Sequence, residues 1–274
     1  VPVPCGIPYI YGTVGSPEKN LMPDGALEKN RVELLREEVV RIDPGAKRVE
    51  TAGGENGTYE RLVIATGSRP AMPPIAGSDK QNIWAVYKDV PYLSRLQERL
   101  PAVKHLVIVG GGFIGVEFAD ECKKAGVESV TVVEMLPHCL MLSFDDECAV
   151  ESEKVLGERG IGLRTGVRVE EFLGGESVET VRLSTGEELP ADAVIMGIGA
   201  VAEVDLAREA GLELGDTGGI KVNRYMVTSD PSIFACGDCA EKISFFGGCA
   251  SGLKLASIAA SEARIAGANL FGTR

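Results

Sequence analysis

His105-Leu106-Val107-Ile108-Val109-Gly110-Gly111-Gly112-Phe113-Ile114-Gly115-Val116-Glu117 opens the stretch whose order decides the fold, and that stretch closes on Glu134. Five apolar or amphipathic residues form a strand, Gly110 to Gly115 fits G-x-G-x-x-G, and Val116 to Ala125 is helical with Gly126 as its stop. A second strand, Ser129 to Val133, ends on Glu134, 24 residues after Gly110. Each glycine has a physical task. Gly110 permits the tight turn, Gly112 lets a pyrophosphate come close to the backbone, and Gly115 lets the helix pack on the strand. The helix N-terminus, at Phe113 and Ile114 after Gly111 and Gly112, offers unpaired N–H groups and a positive dipole end to the anion. Glu134 is placed to accept hydrogen bonds from ribose hydroxyls. A carboxylate there repels a 2′-phosphate, and Met135 to Leu142 holds no Arg or Lys, so NADH is favoured over NADPH. Glycines alone are a weak signal. Strand, turn, helix, strand and acid in this order make a dinucleotide site.

Outward from this unit the pattern stays α/β. Asp145 to Arg159 is helical, and strands follow at Ile161 to Arg164, Val167 to Phe172, Val178 to Ser184 and Ala193 to Ile198, which reads as a mononucleotide-binding unit finished by a small β meander. Toward the N-terminus, residues 1–30 are rich in Pro and Gly and weakly helical at Ala26 to Asn30. Val32 to Ile42 and Lys47 to Thr51 read as strands, followed by a Gly53 to Gly57 turn. Leu62 to Ala65 is a short buried strand ended by Thr66-Gly67, and Arg69 to Pro74 is stiff enough to mark a boundary. Near the C-terminus, Ser232 to Cys236 is a buried strand, Gly237 lets the chain turn, and Asp238 presents an acceptor where α/β ligands bind. Ala256 to Ala268 is a helix of small residues.

The 274 residues are 45% hydrophobic and 25% charged, with 28 basic against 40 acidic side chains and a formal charge of −12. A polyanion is repelled by that balance, which argues against nucleic acid as a partner. No segment approaches the roughly 18 apolar residues of a membrane span. Seven cysteines are an odd number at low density, and no secretory signal precedes them, so a reducing, cytoplasmic setting is expected. The first residue is Val, as in a processed chain or a piece of a longer one.

Four segments in order resemble the pyridine nucleotide-disulfide oxidoreductase family, and within it the single-cysteine group of coenzyme A-disulfide reductases, NADH oxidases and peroxidases, and persulfide reductases. Cys5-Gly6-Ile7-Pro8-Tyr9 is similar to that group's redox-active cysteine motif. Thr58 to Gly67, ending in Ala65-Thr66-Gly67, resembles the strand closing on Ala-Thr-Gly. Gly110 to Glu117 resembles the NAD motif, with Glu117 matching a residue near the nicotinamide. Thr228 to Asp238 resembles the second flavin motif, whose final Asp, here Asp238 after Gly237, contacts the ribityl chain of FAD. The turn at Gly197 to Ala202, including Gly199, carries Ala202 where the family usually has Pro.

The resemblance implies a Rossmann-like NAD-binding domain at 75–198 and an FAD-type domain in two segments, 1–74 and 199–274. That domain is incomplete, because the family's strand-glycine-helix unit before the cysteine and its C-terminal interface domain are not in this chain. It further implies NAD(H) and FAD as cofactors, a homodimeric parent, and electrons passing through FAD to Cys5 and on to a disulfide, persulfide, peroxide or oxygen. Position 10 is Ile, so no Cys-x-x-x-x-Cys pair forms at Cys5, and Cys5 would cycle through a mixed disulfide, persulfide or sulfenic acid. Two alternatives stay open: an NAD-binding module without flavin chemistry, and a reductase serving a small electron-carrier protein. Cys236-x-x-Cys239 has redox or zinc spacing but straddles the flavin motif, and no matched second ligand pair supports a metal.

Overall fold

The structure is a computed structural model and describes residues 3–272. Short 3-10 turns at Pro4–Gly6, Pro8–Ile10 and Glu18–Asn20 precede helix α1 (Gly25–Lys29). Strands β1 (Val39–Asp43), β2 (Arg48–Thr51) and β3 (Asn56–Thr58) form an antiparallel meander. The chain continues through β4 (Leu62–Ile64), β5 (Ser68–Pro70), β6 (Ile83–Ala85), α2 (Val90–Arg99), β7 (His105–Val109), α3 (Phe113–Lys124), β8 (Ser129–Val133), α4 (Asp146–Glu158) and β9 (Ile161–Arg164). A second antiparallel meander, β10 (Val169–Leu173), β11 (Thr180–Leu183) and β12 (Glu188–Pro190), comes next. β13 (Ala193–Met196), β14 (Ala200–Ala202), α5 (Asp205–Glu209), β15 (Ile233–Ala235), β16 (Lys242–Ile243), β17 (Ala250–Ser251) and α6 (Ala256–Asn269) complete it.

The chain divides into two compact units, Val1–Met22 with Pro70–Gly199, and Pro23–Arg69 with Ala200–Arg274. The first is built on a five-stranded sheet in the order β6-β13-β7-β8-β9, parallel at every pairing. Strand alternation explains its two buried faces. Leu106 and Ile108 of β7 pack with Phe118, Ala119 and Cys122 of α3, while Val107 and Val109 pack with Phe172, Val181 and Leu183 of the meander. Each such fully buried side chain contributes roughly 1.5–3 kcal/mol. The second unit carries the β1 to β3 meander and the parallel pair β4 and β15, with Ile42, Ile64, Ile220, Ile233 and Ala235 in its core. Among the described residues no helix is long and apolar enough to cross a membrane.

The expected α/β, Rossmann-like architecture is present, and the differences are local. The strand expected over Val32 to Ile42 forms only from Val39, where β2 supplies a partner; Val32, Leu34 and Leu35 are about half exposed. The strand expected to reach Ile198 stops at Met196; the chain turns by Gly199, at φ +100°. β3, which takes up the end of the expected Gly53 to Gly57 turn, and β5, β6, α2, β12, β14, α5, β16 and β17 fall outside the expected elements. Asp89 caps α2 by accepting the Tyr92 N–H at 2.8 Å, and Pro91 sits in its first turn, a start signal readable in retrospect. Residues 1–22 group with 70–199, a division that differs from a single segment over 1–74.

Candidate functional site

The glycine loop after β7 has the geometry its sequence implies. Gly110 adopts φ +104°, and a Cβ there would lie 2.8 Å from the Gly197 carbonyl oxygen. A Cβ on Gly115 would lie 1.8 Å from the Gly110 carbonyl oxygen, so any side chain would push α3 off the sheet. Gly112 is different. It is exposed, precedes the first turn of α3 without a side-chain cap, and a Cβ there would meet nothing within 4 Å. Open space over uncapped helix N–H groups is the space a pyrophosphate needs. Phe113 stands at its edge, half exposed and in edge-on contact with Phe144 at 5.8 Å, while Ile114 is partly buried against the core. Gly199, at φ +100°, lies three residues past β13.

Glu134 follows β8 at 9% exposure. Its carboxylate accepts the Gly111 N–H at 2.6 Å and the Leu136 N–H at 2.8 Å. The acid therefore fixes the glycine loop itself, and each oxygen keeps a further lone pair. Beneath the loop lies Cys139, whose sulfur would be 2.7 Å from a Cβ on Gly111. Burial pushes its thiol up to about 12. Glu153 of α4 accepts the Cys139 N–H at 2.7 Å and sits 3.1 Å from His138 Nδ1, holding this segment in place. Glu117, one turn into α3, is partly buried; burial first and then the Glu121 carboxylate raise its pKa.

In the second unit β4 and β15 run parallel with Ile64 opposite Ala235. Both strands therefore end side by side, Ala65-Thr66-Gly67 after one and Cys236-Gly237-Asp238 after the other. Gly67 and Gly237 have φ of +72° and +79°, turns that side chains resist. Ala65 and Thr66 are exposed directly after the buried Ile64. Asp238 is half-buried and accepts the Ser68 hydroxyl at 2.7 Å. Behind it, the nearly buried Glu262 of α6 accepts the Gly237 N–H at 2.8 Å, and Lys242 donates to the Gly237 and Ala240 carbonyls while facing Glu262 at 3.5 Å. Cys236 and Cys239 are buried, and the Cys239 thiol donates to the Cys236 carbonyl at 3.3 Å. Among the described residues no cluster of three metal-ligating side chains exists.

Cys5 is exposed and unpaired by any disulfide, on the Pro4–Gly6 turn of the first unit. The turn is anchored: Val3 donates its N–H to the Asn20 carbonyl at 2.8 Å, and Asn20 Nδ2 donates back to the Val3 carbonyl at 2.9 Å. Ile7, Ile10 and Tyr11 are buried, and the Tyr11 ring lies 5.3 Å from that of Phe118 on α3. The sequence pattern gave no hint of Glu121, Ser68, Lys242, Glu153 or Glu262, because each acts on a residue far away or on a backbone group that no motif marks.

These sites bear on ancestry as well as geometry. A family profile, described as pyridine nucleotide-disulphide oxidoreductase, matches residues 5–263. The chain belongs to this family. Proteins of this family use NAD(H) and FAD. The NADH oxidase of Methanocaldococcus jannaschii is 34% identical over 281 residues, covering 98% of this chain and 61% of that protein. The NAD(P)H coenzyme A polysulfide/persulfide reductase of Pyrococcus horikoshii is 32% identical over 275 residues, again 98% and 61%. The structure of an NAD-dependent persulfide reductase from A. fulgidus superposes with a TM-score of 0.93 at 31% identity, covering 100% of this chain and 53% of that one. The chain therefore spans somewhat over half the length of these relatives.

Proposed function

We propose that this chain is the nicotinamide-binding unit and part of the flavin-binding unit of an NADH-dependent flavoprotein oxidoreductase whose electrons leave through Cys5 to a disulfide or persulfide. The observation that carries the reading is the exposed Cys5, set in Cys-Gly-Ile-Pro-Tyr and docked on the helix whose N-terminus forms the dinucleotide loop. The persulfide reductases among its relatives support a sulfur acceptor. The residues present fit both cofactors. Gly112 leaves open space over the N-terminus of α3 for the NADH pyrophosphate, Gly110 and Gly115 let the turn and helix pack closely beneath it, and Glu134 keeps acceptor capacity for ribose. At the adjoining strand ends of the other unit, Ala65 to Gly67 and Gly237 leave backbone exposed, and Asp238 offers a carboxylate to a ribityl hydroxyl.

Flavin, when bound, supplies the two-electron relay between the NADH hydride and sulfur. The chain's own part begins at Cys5. Its thiolate attacks an acceptor R–S–S–R, forming the Cys5–S–S–R mixed disulfide and releasing one RS⁻. Two electrons from NADH then cleave that bond, returning the Cys5 thiolate and a second RS⁻ while NADH becomes NAD⁺ and one proton is released to water. No second cysteine adjoins Cys5 in sequence, so the partner sulfur comes from the acceptor. The deciding experiment is the visible spectrum of the chain with added FAD and then excess NADH, followed by Cys5→Ser. A flavin band bleached by NADH, with disulfide turnover lost in Cys5→Ser, is the expected result. Unchanged turnover in Cys5→Ser sinks the Cys5 route and favours a reductase for a carrier protein.

A further inference from the structure

We propose that Glu121 is the positioning residue for Cys5, clamping the cysteine-bearing segment onto the dinucleotide-binding helix; this rests on Cys5 being the redox thiol. Glu121 lies on α3, two turns beyond the glycine loop, and is 1% exposed. A carboxylate so deeply placed persists only with partners. Three are present. Thr13 donates its backbone N–H to Oε2 at 2.6 Å and its hydroxyl to Oε1 at 2.9 Å, and Lys124 Nζ stands 2.8 Å from Oε1. Two of these three come from the segment that follows Cys5, 108 residues away in sequence.

The surrounding residues are shaped for this contact. A Cβ on Gly12 would lie 2.6 Å from both the Glu121 carbonyl oxygen and its Oε2, so the segment reaches the carboxylate only because position 12 has no side chain. Gln97 of α2 holds the far end of the segment by donating to the Gly15 carbonyl at 2.9 Å. At the near end a Cβ on Gly6 would lie 2.0 Å from Asn20 Oδ1, so the Cys5 turn is seated against Asn20 in the same manner. Between these points Ile7 and Ile10 are 1% and 0% exposed. Cys5 is thus an exposed thiol on a fixed base, and Glu121 is the charged group of that base. A thiol that must meet a flavin on one side and an acceptor on the other needs such fixing.

The test is amide hydrogen exchange over residues 3–15 together with the rate of Cys5 reaction with 5,5′-dithiobis(2-nitrobenzoate), measured on the whole chain and read by mass spectrometry at the Cys5 peptide, because Cys148 and Cys249 are exposed too. Glu121→Ala is expected to speed exchange at Thr13 to Gly15 by roughly tenfold and to raise the Cys5 rate by a similar factor, while buried Cys139, Cys236 and Cys239 stay unlabelled. Glu121→Gln keeps an acceptor oxygen and restores both rates to within about twofold of wild type. Thr13→Val, which removes only the hydroxyl donor, falls between them and serves if Glu121→Ala does not fold. Wild-type exchange and Cys5 rates in Thr13→Val and Glu121→Ala alike overturn the clamp. Equal loss in Glu121→Gln and Glu121→Ala does so too. Neither readout needs turnover, so failure here is separable from failure of the Cys5 route, which Cys5→Ser reports.

Discussion

A Cβ placed on Gly115 would stand 1.8 Å from the carbonyl oxygen of Gly110, whereas one placed on Gly112, three residues earlier, would touch nothing within 4 Å. Two glycines of one motif thus meet different surroundings, the first packed against backbone and the second facing open space, where the proposed reading places the pyrophosphate. Gly115→Ala is expected to destabilise the chain by about 1–3 kcal/mol through overpacking. Gly112→Ala keeps an ordinary φ of −74° and is expected to cost less than about 1 kcal/mol. Its added methyl group fills the pyrophosphate space, so NADH affinity should fall at least tenfold. Urea denaturation and NADH fluorescence titration read the two effects separately, and a Gly112→Ala protein that binds NADH normally would remove Gly112 from the site.

Glu117 carries a raised pKa, from burial first and from Glu121 second. The folded protein thus prefers this carboxyl protonated. Its favourable contribution is complete below the unfolded value of about 4.3 and is lost as pH rises through the folded value. Glu117→Gln should therefore melt slightly higher than wild type at pH 7, by a fraction of a kcal/mol because water screens part of the site. The gap should close below about pH 4. Thermal melts across pH 3.5–8, with no gap at pH 7, would show that the environment of Glu117 is not apolar.

Glu262 and Lys242 hold the Gly237 turn from opposite sides, both about nine-tenths removed from water. Removing one partner strands the other's charge. Glu262→Ala should cost about 3 kcal/mol and weaken FAD binding, since Gly237 loses the acceptor for its N–H and Asp238 follows it. Replacing both, as Lys242→Met with Glu262→Leu, should recover a good part of that stability while leaving FAD binding weak. Chemical denaturation paired with flavin titration checks this, and equal stability of Glu262→Ala and wild type would contradict it.

Thiol labelling gives an independent reading of the loop floor. Cys139 is 0% exposed under Gly111, with its pKa pushed up to about 12 by burial, then Glu153, then Glu134. At pH 8 its thiolate fraction is on the order of 10⁻⁴. Iodoacetamide at pH 8 should modify Cys5, Cys148 and Cys249, all exposed, with Cys139 remaining intact over the same interval. Early modification of Cys139 would mean the glycine loop opens readily without ligand.

What was legible in the sequence was whatever is local. Strand β7, Gly110 to Gly115, helix α3 and Glu134 lie within 30 residues, and each is dictated by neighbours along the chain, so period and glycine placement sufficed. The hydrogen bond from Gly111 to Glu134 is not visible in the sequence, where an acid after β8 points to ribose and nothing marks it as a stay for the loop. The strand expected from Val32 illustrates a different failure. Its residues have the right apolar character, but β2 has only four residues to pair with it, and propensity without a partner makes no strand. Glu121 and Glu262 were illegible for a third reason. Their partners, Thr13 and Gly237, are backbone donors in distant segments, and sequence does not record which backbone groups a buried carboxylate will meet.

The second unit closes its β4 and β15 pair from segments that the whole run 70–199 separates. That run leaves and returns at one place, because Ala71 donates its N–H to the Gly199 carbonyl at 3.0 Å. Before residues 70–199 fold, joining β4 to β15 means closing a long disordered loop. Afterwards the same closure spans only the stretches 65–69 and 200–232, and the difference is on the order of 1 kcal/mol in chain entropy. The expected order of folding is residues 70–199 before the β4 and β15 pair, and a refolding experiment should see protection at β7 and β8 arise before protection at β4 and β15.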